Sequence, residues 1–247
     1  MTEIADRIER IFDNISSACN RVGRDVEDVT TVIVTKTAPV ESIKEVIRLG
    51  HINLGENRVQ HLKQVAKEID EFLELEKENP DIPGSVNWHM IGHLQRNKVR
   101  QVLKRSSFIH SVDTLRLAEE ISENSAKLGT TPSVLLQVNC SEEPQKYGVP
   151  VGAAIHLAEQ MATMENIKLV GLMTMAPLTL NKDIVRACFV RAREVFEDIK
   201  KDGLVGSDFR HLSMGMSQDY EIAVEEGATI LRIGSAVFAE NKITRRI

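Results

Sequence analysis

Long apolar runs, paired cysteines and an excess of basic residues are all missing from this chain, and each absence removes a class of function. No run approaches the length of a membrane span, and the start, Met1-Thr2-Glu3-Ile4-Ala5-Asp6, lacks the basic-then-apolar order of a leader; the expected location is the cytoplasm. Cys19, Cys140 and Cys188 are odd in number and far apart, with no CxxC or Cys/His spacing. They read as reduced thiols rather than as disulfides or metal ligands. His51, His61, His110 and His156 also lack partners at ligand spacing, so no metal is expected. A formal net charge of -5 argues against nucleic acid or an anionic membrane as the main partner. The basic stretch Arg96, Lys98, Arg100, Lys104, Arg105 reads as a solvated helix face.

What is present is alternation. After an amphipathic helix carried by Ile4, Ile8, Ile11, Phe12 and Ile15, short apolar strand-like runs fall at 29–35, 52–54, 86–91, 107–110, 133–139, 168–173, 209–214 and 229–233. Between them lie stripes at three- and four-residue spacing, such as Val59, Leu62, Val65, Ile69, Phe72, Leu73 and Val185, Cys188, Phe189, Ala192, Val195, Phe196, Ile199. Eight strands each followed by a helix predict an α/β fold, a (β/α)8 TIM barrel with an additional N-terminal helix, as one domain over 1–247. A doubly wound open sheet is the alternative, and the second and fourth strands are the shortest. The only loop rich in breakers, 78–84, is too short to divide domains.

In a barrel, the loops at the carboxyl ends of the strands build the site. The first strand ends at Lys36, an amine that can lose its proton by desolvation and condense with an aldehyde. A solvated lysine just past a strand is the plainer alternative. The seventh and eighth strands run into Ser213-Met214-Gly215-Met216-Ser217 and Arg232-Ile233-Gly234-Ser235. Each offers a glycine for close approach and a hydroxyl where a helix begins, in the two loops where barrels commonly seat a phosphate. Ser217 and Ser235 are alternatively plain helix caps. Arg232 shares strand parity with Ile230 and Gly234; if it faces inward, it needs an acceptor, either a pyridine nitrogen or a carboxylate such as Glu56.

Taken together, Val34-Thr35-Lys36-Thr37, Gly55-Glu56-Asn57 with Val59-Gln60, Trp88-His89-Met90-Ile91-Gly92-His93-Leu94-Gln95-Arg96-Asn97-Lys98, Gly171-Leu172-Met173, Leu212-Ser213-Met214-Gly215-Met216-Ser217 and Arg232-Ile233-Gly234-Ser235 resemble the pyridoxal phosphate (PLP) homeostasis proteins, also called the YggS or proline synthetase co-transcribed family. That family has the alanine racemase barrel without its second domain. The resemblance spans essentially the whole chain and implies a fold-type III PLP protein. It implies that Lys36 holds pyridoxal 5′-phosphate as a Schiff base, that Ser217, Gly234 and Ser235 hold the phosphate, and that Arg232 faces the pyridine nitrogen. It also implies that Asn57, His89 and Met173 line the ring's surroundings. Arg58 stands where many relatives show Tyr, which puts any aromatic contact there in doubt; Ser235 stands where Thr is frequent and keeps the hydroxyl.

An arginine beside the pyridine nitrogen disfavours its protonation and weakens the ring as an electron sink. Racemisation by two bases needs a second acid/base opposite Lys36, for which the chain offers only Tyr147 and Tyr220, or His89 and His211. The expected function is therefore a PLP carrier or regulator in vitamin B6 homeostasis, not an enzyme, with weak racemase or transaminase side activity. It is expected to be monomeric, with PLP and apo PLP-dependent enzymes as partners. The alternatives are an active PLP-dependent racemase and a cofactor-free Schiff-base aldolase or phosphosugar isomerase. The 142–148 loop after the fifth strand is expected to cover the mouth, with Lys146 as a transient second PLP site.

Overall fold

The computed structural model describes residues 2–203 and 205–238; residues 1, 204 and 239–247 of the expected domain lie outside them. Eight strands form the centre: β1 (Thr30–Val34), β2 (Asn53–Glu56), β3 (Asn87–Met90), β4 (Phe108–Val112), β5 (Ser133–Asn139), β6 (Lys168–Met173), β7 (His211–Ser213) and β8 (Ile230–Ile233). Each lies within two residues of its expected bounds. Every neighbouring pair is parallel, β4 pairs with β5, and β8 returns to β1 in the register Thr30↔Ile230 to Ile33↔Ile233. The sheet is thus a closed barrel, and the open-sheet alternative is excluded because none of the eight strands is an edge. A two-residue strand, Val149–Pro150, adds to the end of β5 and was not foreseen.

The helices form where an apolar stripe meets a cap. In α1 (Glu3–Arg21), Ile4, Ile8, Ile11 and Ile15 are buried on one face, and the Thr2 hydroxyl accepts the Ala5 N–H at the start. Burying each such isoleucine is worth about 2 kcal/mol relative to exposure. This extra helix packs on α8 (Tyr220–Glu225) and α9 (Ser235–Phe238), and Asn14 donates to the Tyr220 hydroxyl at 2.9 Å. The outer ring is completed by α2 (Val40–Arg48), α3 (Val59–Leu75), α4 (Val99–Leu103), α5 (Leu115–Leu128), α6 (Ala154–Ala162) and α7 (Lys182–Lys201).

Most of the apolar core lies between strands and helices; Leu231 and Ile233 belong to it. The barrel interior is different. It holds a small cluster of Leu135, Val170 and Met173, with Phe108 and Met175 against it, and a set of buried polar side chains that includes His89, His110, Gln137, Ser213 and Arg232.

Candidate functional site at the carboxyl mouth of the barrel

Lys36 directly follows Thr35, whose N–H bonds to the Gly55 carbonyl at 3.0 Å and whose hydroxyl donates to the buried Glu56 carboxylate. These bonds tie the ends of β1 and β2 together. The lysine side chain itself is exposed. The strand therefore does not desolvate the amine, as in the alternative of a solvated lysine just past a strand: β1 ends one residue earlier than expected and the chain turns at 36–37. Asn57, half-buried, stands at the same height after β2.

On the other side of β1 lies the turn after β8. A Cβ on Gly234 would stand 3.0 Å from the Val34 carbonyl and 3.1 Å from the Val34 Cβ, so glycine lets the turn pack against β1 without displacing it. The Ser217 hydroxyl receives the N–H of Gly234 at 3.3 Å and of Ala236 at 3.1 Å. The plain-cap alternative for Ser217 is thereby corrected: α8 starts at Tyr220, and the serine serves a turn on another strand. Ser235 is exposed beside it. Two serines, a glycine and converging backbone donors thus meet two residues from Arg232, in the two loops expected for an anion.

Arg232 faces inward and is buried. It donates to the Ser213 hydroxyl at 2.5 Å and to the Thr174 carbonyl at 2.8 Å. Burial pulls its guanidinium down to about 10, opposed by the negative charge of Asp219, so it remains a cation at neutral pH. The Glu56 ion-pair alternative is corrected, since Glu56 instead faces Thr35 and lies 2.9 Å from His61 Nδ1, without hydrogen-bond geometry to that ring. Asp219 accepts the Met216 N–H at 2.6 Å, and burial raises its carboxyl above the usual range while Arg232 opposes the rise.

The remaining expected residues lie deeper. Met173 is buried in the interior cluster and precedes Thr174, the acceptor of Arg232. His89 has both ring nitrogens engaged, Nδ1 with His110 Nε2 at 3.0 Å and Nε2 with Asn53 Oδ1 at 3.4 Å, and its ring stacks on Phe108. Burial lowers His89 to about 4 and His110 well below its ordinary value, so both rings are neutral. Ser213 and Thr174 were missed as partners of Arg232, and His110 as the partner of Ser213, because they come from other strands. Strand parity was the one signal that pointed to an inward arginine.

The loop after β5 contacts the loops after β3 and β6. Tyr147 stacks on His93, with ring centroids 4.0 Å apart, and Lys146 donates to the Ala176 carbonyl at 2.8 Å while pairing with Glu143 at 2.5 Å. Among the described residues, no group of three or more His, Cys, Asp or Glu could hold a metal ion, and no helix is long and apolar enough to cross a membrane. A cavity of about 420 Å³ beside Trp88 lies outside the barrel and brings together none of the expected site residues.

Comparison with known proteins places this geometry. A family model described as the alanine racemase N-terminal domain matches residues 59–242. The pyridoxal phosphate homeostasis protein of Aquifex aeolicus is 38% identical over 237 residues, which is 96% of this chain and 98% of that protein. An unknown protein from Bifidobacterium adolescentis superposes with a TM-score of 0.87 at 35% identity, covering 96% of this chain and 94% of that one. PipY of Synechococcus elongatus PCC7942, solved with PLP bound, superposes at 0.79 with 30% identity, covering 96% of this chain and all of that one.

Proposed function

The chain belongs to the family of pyridoxal phosphate homeostasis proteins, and from that premise we propose that it holds pyridoxal 5′-phosphate reversibly at the mouth of its barrel through Lys36. The observation that carries the reading is the convergence of the Gly234 and Ala236 N–H groups on the Ser217 hydroxyl, two residues from a buried arginine and across β1 from Lys36. Backbone donors gathered at one point, with hydroxyls beside them, fit a phosphate. Ser217, Gly234 and Ser235 would take the phosphate, Arg232 the pyridine nitrogen, and Asn57 and Met173 the flanks of the ring. His89 would act from below, through His110. When bound, the cofactor would supply an aldehyde, the group with which a primary amine such as that of Lys36 condenses reversibly with loss of water.

The chain's own residues favour carriage over turnover. Arg232, a buried cation, disfavours a second positive charge at a neighbouring ring nitrogen. Tyr220 is committed to Asn14 under α1, Tyr147 to the His93 ring, and His89 to two partners inside the barrel. Tyr220 and His89 are thereby engaged, and His211 opens β7 at the end away from Lys36, so none of these three stands as a second base opposite it. An exposed lysine at an open mouth also suits exchange with apo PLP-dependent enzymes, by a monomer in the cytoplasm.

The test is an absorption spectrum of the protein mixed with PLP, then borohydride reduction and mapping of the labelled peptide. A phosphopyridoxyl group on Lys36 is expected, and failure to take up PLP in excess overturns the reading. Reduction of the Lys36→Ala variant addresses Lys146 in the same experiment: label at Lys146 would make it a second landing site.

A further inference from the structure

Arg232 is the last link of a chain of hydrogen bonds that crosses the barrel, exposed at Asn87 and buried from His89 onward. Asn87 Nδ2 donates to Asn53 Oδ1 at 3.1 Å, and the same oxygen lies 3.4 Å from His89 Nε2. His89 Nδ1 meets His110 Nε2 at 3.0 Å, His110 Nδ1 meets the Ser213 hydroxyl at 3.0 Å, and Ser213 meets Arg232 at 2.5 Å. The residues come from β2, β3, β4, β7 and β8.

The direction of every proton in this chain follows from its two ends. Asn53 Oδ1 only accepts, so His89 Nε2 carries a hydrogen and His89 Nδ1, on a neutral ring, does not. His110 Nε2 must then donate to it, which leaves His110 Nδ1 bare. From the other end, Arg232 only donates, so Ser213 accepts from it and has one hydrogen left. Ser213 is fully buried, and among the described residues the one acceptor facing that hydrogen is His110 Nδ1. Both ends give the same answer, with no donor facing a donor. A one-way chain of this kind strengthens its members, because each hydroxyl or ring that donates becomes a better acceptor.

We propose that Ser213, His110, His89 and Asn53 are positioning residues that fix the Arg232 guanidinium in one orientation, as a one-way hydrogen-bond chain with both histidines locked as neutral Nε2–H tautomers. The consequence for the cofactor rests on the reading of Arg232 as the partner of the pyridine nitrogen; the chain itself does not. The charged or titratable groups facing the two rings are each other, Arg232 and His211, all of which disfavour a proton on the pair. Through the chain, residues on four other strands decide where the buried positive charge stands.

Nitrogen-15 NMR of histidine-labelled, PLP-free protein tests the chain directly. Both rings are expected as Nε2–H tautomers with no titration between pH 5 and 8. An Nδ1–H form on either ring, or titration near pH 6.5, overturns the proposal. Ser213→Ala and Ser213→Thr then test the positioning role. Loss of one charge-assisted hydrogen bond predicts about tenfold weaker PLP retention and a displaced PLP absorption maximum in Ser213→Ala. Ser213→Thr, which keeps the hydroxyl, should restore both. A Ser213→Ala protein that retains PLP with unaltered affinity and spectrum overturns the positioning role. If the unaltered protein takes up no PLP, the function proposed above fails instead, and the tautomers still decide the chain.

Discussion

Individual side chains at the mouth divide into those that touch the turn after β8 and those that hold the arginine, and the two groups predict different failures. Ser217 is the shared acceptor of two backbone N–H groups, whereas Ser235 is exposed beside them. Ser217→Ala should therefore weaken PLP retention about tenfold and Ser235→Ala less, since a lost hydrogen bond to a charged group is worth about 1.5 kcal/mol. Equilibrium dialysis of the two variants checks this; equal losses would place the phosphate elsewhere. Arg232, beyond its part in retention, controls chemistry. Replacing it by Glu puts a carboxylate where a pyridine nitrogen needs a proton to draw electrons, so deuterium uptake at the α-carbon of added L-alanine should rise about tenfold. An unchanged exchange rate would mean that Arg232 does not neighbour the ring nitrogen.

At the scale of strands and helices, the sharpest constraint sits in β6. Its register with β5 shifts between Val134 and Leu135, leaving an extra residue near Gly171, whose φ is +154°. A Cβ there would lie 1.7 Å from the His211 carbonyl on β7. Gly171→Ala must push two paired strands apart, and its urea midpoint should fall by an amount equivalent to roughly 3 kcal/mol. A fall under about 1 kcal/mol would show that the bulge relaxes cheaply. Such details were not legible in the sequence, while the strands themselves were. Val29 to Val34 or Ser133 to Asn139 announce strands by composition alone, and the isoleucine stripe of α1 announces a helix. The meeting of the last two strand ends was legible because glycine and serine recur there. The interior chain was not, because Asn53, His89, His110, Ser213 and Arg232 are far apart in the sequence and meet only when the barrel closes. His110 in particular lacks a partner at ligand spacing and still has two at hydrogen-bond distance. The exposure of Lys36 was hidden for the opposite reason: β-branched residues run to Thr35, and only the turn that follows decides where the amine points.

For the molecule as a whole, two neutral histidines in a barrel interior tie folding to pH. Burial, with His211 adding to it, lowers His89 from 6.5 to about 4, and His110 is lowered further by burial with His89, Arg232 and His211 adding to it. Between pH 6.5 and 4 the unfolded chain binds protons at these positions and the folded barrel does not, so stability is fully present above 6.5 and declines as pH falls. At about 1.4 kcal/mol per pH unit for each proton, His89 alone removes about 3 kcal/mol by pH 4. Asp113 and Asp219, whose carboxyls are raised chiefly by burial, act in the opposite sense, because the folded state binds their protons more readily than the unfolded one. The histidine contribution is therefore isolated by comparing the protein with His110→Asn, in urea titrations at pH 7, 6, 5 and 4.5. The unaltered barrel should lose stability faster than the variant over this range, the gap between the two curves closing as pH falls. Parallel curves would mean that His110 accepts a proton inside the folded barrel, and the interior would then be wetter than its packing indicates.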